Sequence, residues 1–78
     1  MEYKTYVRVK AEFDTDGNVV PTHIIWNDER IFSIDRILDI RRCASTRAGG
    51  MGIRYTVRID GREKYLFYEN PKWFVEAR

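Results

Sequence analysis

The chain contains one thiol, Cys43, and one imidazole, His23. Arg41 and Arg42 lie just before Cys43, and nearby positive charge lowers a thiol pKa and favours the nucleophilic thiolate. A cysteine nucleophile also needs a base within hydrogen-bond reach, and no spacing brings His23 to it. Gly-x-Ser-x-Gly elbows, His-Glu-x-x-His helices and paired acids are absent from the sequence. One cysteine and one histidine cannot assemble a tetrahedral metal site. The expectation is a protein that is not an enzyme and carries no cofactor. Cys43 reads as a small strand residue and His23 as a surface residue.

Two further stretches imitate ligand loops. Asp14-Thr15-Asp16-Gly17 opens like a calcium loop, but an EF-hand needs a third ligand before its glycine and a Glu at position twelve. Counted from Asp14, position twelve is Ile25. The stretch therefore reads as a hairpin turn. Gly49-Gly50-Met51-Gly52 has the composition of a phosphate cradle without the Gly-Lys-Ser/Thr ending or the Gly-x-Gly-x-x-Gly spacing. Convergent N–H groups at Gly49, Gly50 and Gly52, with Arg47 beside them, could hold an anion. A plain connection between two long strands is the favoured reading.

The charge is unevenly placed. Arg36 to Arg58 holds six arginines against the single acid Asp39, a net +5 in a chain whose total is +2. These cations acquire meaning only from the elements that carry them.

Alternation of period two dominates the chain. In the first strand Val7, Val9, Ala11 and Phe13 share one face, and Tyr6, Arg8, Lys10 and Glu12 the other. A turn at 14–18 leads into Val19 to Trp26. Pro21 has no N–H to donate, which places that strand at an edge or delays its pairing until Thr22. Ile31 to Cys43 fits a long bent strand with a kink near Arg36, which sets Phe32, Ile34, Leu38 and Ile40 inward. Ile53, Tyr55, Val57 and Ile59 point inward in the next strand, with Arg54, Thr56 and Arg58 outward. Asp60-Gly61-Arg62 reads as a three-residue loop that pairs Val57 with Tyr65 and Tyr55 with Phe67, because a two-residue loop would put Lys64 opposite Val57. Asn70-Pro71 turns the chain into a last short strand, Trp73 to Glu76.

A length of 78 residues allows one domain, 1–78, with a single small core. Five or six short antiparallel strands without a helix predict an all-β fold. An SH3-like barrel or strongly coiled sheet is expected, with an OB-like or meander arrangement as the alternative, since closure removes unpaired edges. No apolar run suggests a targeting segment or a membrane span, so a reduced, cytoplasmic setting without membrane attachment is expected.

Cations interleaved with exposed rings suit single-stranded nucleic acid, where cations meet phosphates and rings stack on bases. The candidates are Arg8, Lys10, Arg54 and Arg58 for phosphates and Tyr6 and Tyr68 for bases. The alternative is a protein-interaction or adaptor domain that uses an exposed edge near Pro21 or a patch around Trp26 and Trp73. An exposed edge would also favour a homo-oligomer.

Pro21-x-x-Ile24-x-Trp26, Arg30-x-x-x-Ile34-Asp35-x-Ile37-Leu38-Asp39, Tyr55-x-Val57-Arg58-x-x-Gly61 and Trp73-Phe74-Val75-Glu76 together resemble small uncharacterised bacterial β-domain families of unknown function. The resemblance covers most of the chain, rests on apolar and turn positions, and implies the SH3-like barrel type of fold. Some similar domains are associated with DNA-repair polymerase genes, which implies a nucleic-acid setting. No site residues transfer from it.

Overall fold

A computed structural model of the protein describes residues 4–44 and 51–76. Seven strands follow one another: β1 Lys4–Phe13, β2 Val19–Ile25, β3 Ile31–Ser33, β4 Arg36–Ala44, β5 Met51–Ile59, β6 Arg62–Glu69 and β7 Lys72–Glu76. They form one antiparallel sheet in the order β3-β2-β1-β7-β6-β5-β4, curled into a half-barrel. The all-β expectation of a small SH3-like barrel or coiled sheet agrees with this architecture.

The seventh strand arises because the expected long bent strand divides. Ile34 and Asp35 interrupt it, and a bulge at Leu38 follows, where the pairing steps from Ile37↔Val57 to Asp39↔Thr56. The break has a structural use. The Ile34 N–H donates to the Thr22 carbonyl of β2, and the Asp35 N–H donates to the Arg58 carbonyl of β5. One dipeptide thus ties the two wings of the curled sheet together, which a continuous strand on either edge could not do.

The inner face holds the core. Val57 and Leu66 are fully buried, and Tyr55 and Ile24 nearly so. Val9, Trp26, Phe32, Ile37, Ile53, Tyr68 and Trp73 pack around them. Each large apolar side chain so buried contributes about 1.5–3 kcal/mol. Pro21 is buried beside the β-bulge at Lys10/Ala11, and β2 takes up β3 only from His23 onward. Its missing N–H therefore costs no ladder bond on that side.

Three expectations are corrected. The β5–β6 connection is a two-residue turn that pairs Val57 with Lys64 and Tyr55 with Leu66. Asp60 (φ 55°) and Gly61 (φ 76°) both have the positive φ of a type I′ turn, whose twist matches that of the strands. Phe13 is 71% exposed and Ala11 is also exposed, because β7 pairs only with Lys4 to Val7 and the far end of β1 extends past the sheet with β2 alone. Leu38 and Ile40 are exposed, while Ile37 packs on the core. The bulge at Leu38 shifts the alternation, and Ile40 faces inward at the edge of the sheet where nothing lies above it.

The Tyr55 hydroxyl donates to the Val19 carbonyl, a bond from β5 to β2 across the inner face. Burial, with the neighbouring Tyr68 second, raises the Tyr55 phenol above its ordinary range. A raised pKa means that the stabilisation is fully present below the unfolded tyrosine pKa and is lost as pH rises through the folded one. Tyr55→Phe should cost about 1 kcal/mol near neutral pH and flatten the alkaline decline in stability. Urea denaturation at neutral and alkaline pH reads both effects, and an unchanged alkaline limb would refute the assignment.

Candidate nucleic-acid interface

Residues directly opposite one another in antiparallel strands project from the same side of a sheet. Tracing such pairs from β1 to β4 gives a single row on the outer face: Tyr6↔Phe74, Phe74↔Phe67, Phe67↔Arg54 and Arg54↔Arg41. The rings form a continuous strip. Tyr6 meets Phe74 edge-on at 5.6 Å between centroids, Phe74 stacks on Phe67 at 4.9 Å and 5°, and Tyr65 meets Phe67 edge-on at 6.5 Å. Tyr6 is 50% exposed, whereas Phe74, at 3%, is the buried foundation of the strip.

Cations border these rings. Lys4 Nζ lies 4.6 Å from the Phe74 centroid, Lys72 Nζ 5.6 Å from that of Tyr6, and the Arg54 guanidinium 4.7 Å from that of Tyr65. Such contacts leave the charge unneutralised while fixing the side chain against an apolar surface.

Beside the strip, β4 and β5 set like charges against each other. Arg36 is directly opposite Arg58, and Arg41 directly opposite Arg54. Like charges in that relation destabilise a sheet. Carboxylates offset part of the repulsion: Asp39 accepts from Arg41 Nε at 2.8 Å, and Glu63 lies 3.9 Å from Arg58. Arg54 Nε is buried without a hydrogen-bond partner among the described residues.

The sequence-derived candidates divide. Tyr6, Arg54 and Arg58 share the outer face. Arg8 and Lys10 have the same strand parity as Tyr6, but Arg8 is bound to Glu29 and Lys10 lies opposite His23 on the β2 wing. Tyr68 is misplaced by the one-residue register error. It lies on the inner face with its ring 4.4 Å from Trp73, and its hydroxyl donates to Asn70 Oδ1. Tyr65, Phe67 and Phe74 take its place on the outer face, and the signal for Tyr65 and Phe67 was the Asp60-Gly61 pair, which favours the two-residue turn.

The remaining candidates contribute less. Gly52 is a strand residue of β5 opposite Cys43, while Arg47, Gly49 and Gly50 lie outside the described residues. Trp26 and Trp73 both pack inward against the core. Asp14 serves its own turn: Oδ1 accepts from the backbone N–H of Asp16 and Asn18, and Oδ2 from the Asn18 amide. Those bonds, Asn18's first, hold its carboxyl below the ordinary range. Among the described residues there is no group of three metal-ligating side chains and no helix long and apolar enough to cross a membrane. No protein-family model, curated protein or solved structure matches the chain.

Proposed function

We propose that the chain is a non-catalytic binding module that holds single-stranded nucleic acid on the outer face of β1, β7, β6, β5 and β4. The observation that carries this reading is the cross-strand row that runs from Tyr6 through Phe74 and Phe67 to Arg54 and Arg41. It joins a ring platform to a cationic border, the two requirements of an unpaired strand: faces for bases and charges for phosphates. Tyr6 and Phe67 are the stacking rings, Phe74 supports both, and Arg36, Arg54, Arg58, Lys4 and Lys72 supply the charge. Arginine pairs that cost stability in the free protein gain a counter-charge when phosphate lies over them.

Amide chemical-shift titration with a mixed-sequence single-stranded oligonucleotide at low salt tests the reading, with duplex DNA as comparison. Shifts should trace Tyr6, Phe67, Phe74 and Arg54 and spare the inner face. Three or four phosphate contacts give a log–log salt slope of about −2 to −3. An unmoved row at millimolar oligonucleotide, or shifts with no salt dependence, overturns the reading.

A further inference from the structure

The inner face of β6 runs Arg62, Lys64, Leu66, Tyr68, opposite Ile59, Val57, Tyr55 and Ile53 of β5. Half of this column is core and half is cationic, although every partner across the ladder is apolar or aromatic. Inward charges are familiar as protection on edge strands, and β6 pairs with β7 only from Leu66 to Glu69, so Arg62 and Lys64 lie where β5 is the one described neighbour.

Both side chains line a cleft of about 650 Å³ at the open end of the half-barrel. Its apolar lining comes from Ile24, Trp26, Phe32, Ile59 and Val75, contributed by four strands and the residue after β2. That volume falls within the ordinary range for small-molecule sites, which pair an apolar lining with a few placed polar groups. Arg30, Asp60 and Glu76 are the other charged residues of the lining. Arg30 lies over the Phe32 ring and is bound to Asp28 at 2.6 Å. Glu76 shares the outer-face parity of Lys4 and Phe74. Among the described residues no carboxylate lies within ion-pair distance of Arg62 or Lys64.

We infer that this cleft is a second site, separate from the outer face, for a small amphipathic anion whose apolar body enters between Trp26, Phe32 and Ile59 and whose anionic head is held by Arg62 and Lys64. The aliphatic stems of the two cations extend the apolar wall while their heads reach the rim. Such an arrangement accepts a chain or ring with one charged end and rejects both a bare anion and an uncharged body. Charge-assisted hydrogen bonds supply the discrimination.

Decanoate, below its micelle concentration, is the probe, with decanol and acetate as comparisons, read by the Trp26 indole and by the methyl groups of Ile24, Ile59 and Val75. Decanoate should give saturable shifts confined to these groups, decanol should bind roughly tenfold more weakly, and acetate should not bind. The R62Q/K64Q variant should bind decanoate as weakly as the wild type binds decanol, and Lys64→Arg should retain binding. Equal affinity for decanoate and decanol in the wild-type protein overturns the proposal whether or not the variant folds. So does the absence of saturable shifts at millimolar decanoate, or shifts on Tyr6 and Phe67 instead. The outcome is independent of the oligonucleotide titration, which reads the opposite face.

Discussion

Leu66→Ala should lower the free energy of unfolding by about 2–5 kcal/mol, the cost of removing a fully enclosed leucine from a core that cannot collapse onto the gap. Leu66 is fully buried at the centre of β6, opposite Tyr55 on one side and Val75 on the other. A chain of this size has a total stability of roughly 4–12 kcal/mol, so the substitution removes a large part of it. Thermal unfolding followed by circular dichroism should show a midpoint lower by about 8–40 °C, at the roughly 4–8 °C per kcal/mol typical of domains this small. Leu38→Ala is the informative comparison. It removes the same side chain from a bulged edge-strand position that is 38% exposed, and surface changes of that kind stay within about 0.5 kcal/mol. Equal losses at the two positions would mean that the inner and outer faces have been assigned wrongly.

That contrast also shows where the sequence was legible. Alternation in Ile53 to Ile59 placed Tyr55, Val57 and Ile59 in the core, and each is buried. The break in the long strand was visible near Arg36 because Ile37 sits where alternation demands a polar residue. The bulge at Leu38, which takes Leu38 out of the core and puts Ile37 there, was not visible. A bulge is set by how a strand must bend to reach its partners, and the hydrogen bonds from Ile34 and Asp35 to β2 and β5 are contacts across more than ten residues of sequence. Phe13 was misjudged for a related reason. Its side of the strand was readable, but the length over which β7 covers β1 was not.

The site depended on one decision about register. Asp60-Gly61 satisfies the type I′ turn at both positions, yet a two-residue loop faces Lys64 inward, and burying a lysine opposite Val57 was the stronger objection. The objection assumed a closed core at that end. The half-barrel leaves a cleft there, so Lys64 keeps its head in solvent and its stem beside Val57. The same one-residue step moves Tyr65 and Phe67 outward and Tyr68 inward. Arg54 and Arg58 were placed correctly because their own strand alternates, whereas the rings beside them belong to the neighbouring strand and inherit any register error.

Neutralising the outer arginines, as Arg36→Gln, Arg54→Gln and Arg58→Gln together, should weaken oligonucleotide binding about 100-fold at 0.1 M salt without a matching loss of stability. Each phosphate contact on a single strand contributes about 0.7 to the salt slope, which at that ionic strength is roughly fivefold in affinity, and three contacts multiply. The stability side has a different sign. Arg36 opposite Arg58 and Arg41 opposite Arg54 are repulsive pairs, each worth about 0.2–1 kcal/mol when relieved. Against this stand the 3.9 Å pair of Arg58 with Glu63, exposed and weak, and the stacking of Arg54 on Tyr65. The terms nearly cancel, so the triple variant should unfold within about 1 kcal/mol of the wild type. Fluorescence anisotropy across a salt series and urea denaturation on the same samples separate the two effects. Unchanged affinity would remove the arginines from any phosphate-binding role. A loss of several kcal/mol in stability would instead make them structural, because a cation retained for folding costs the fold when it is removed, while a cation retained for a ligand costs only the ligand.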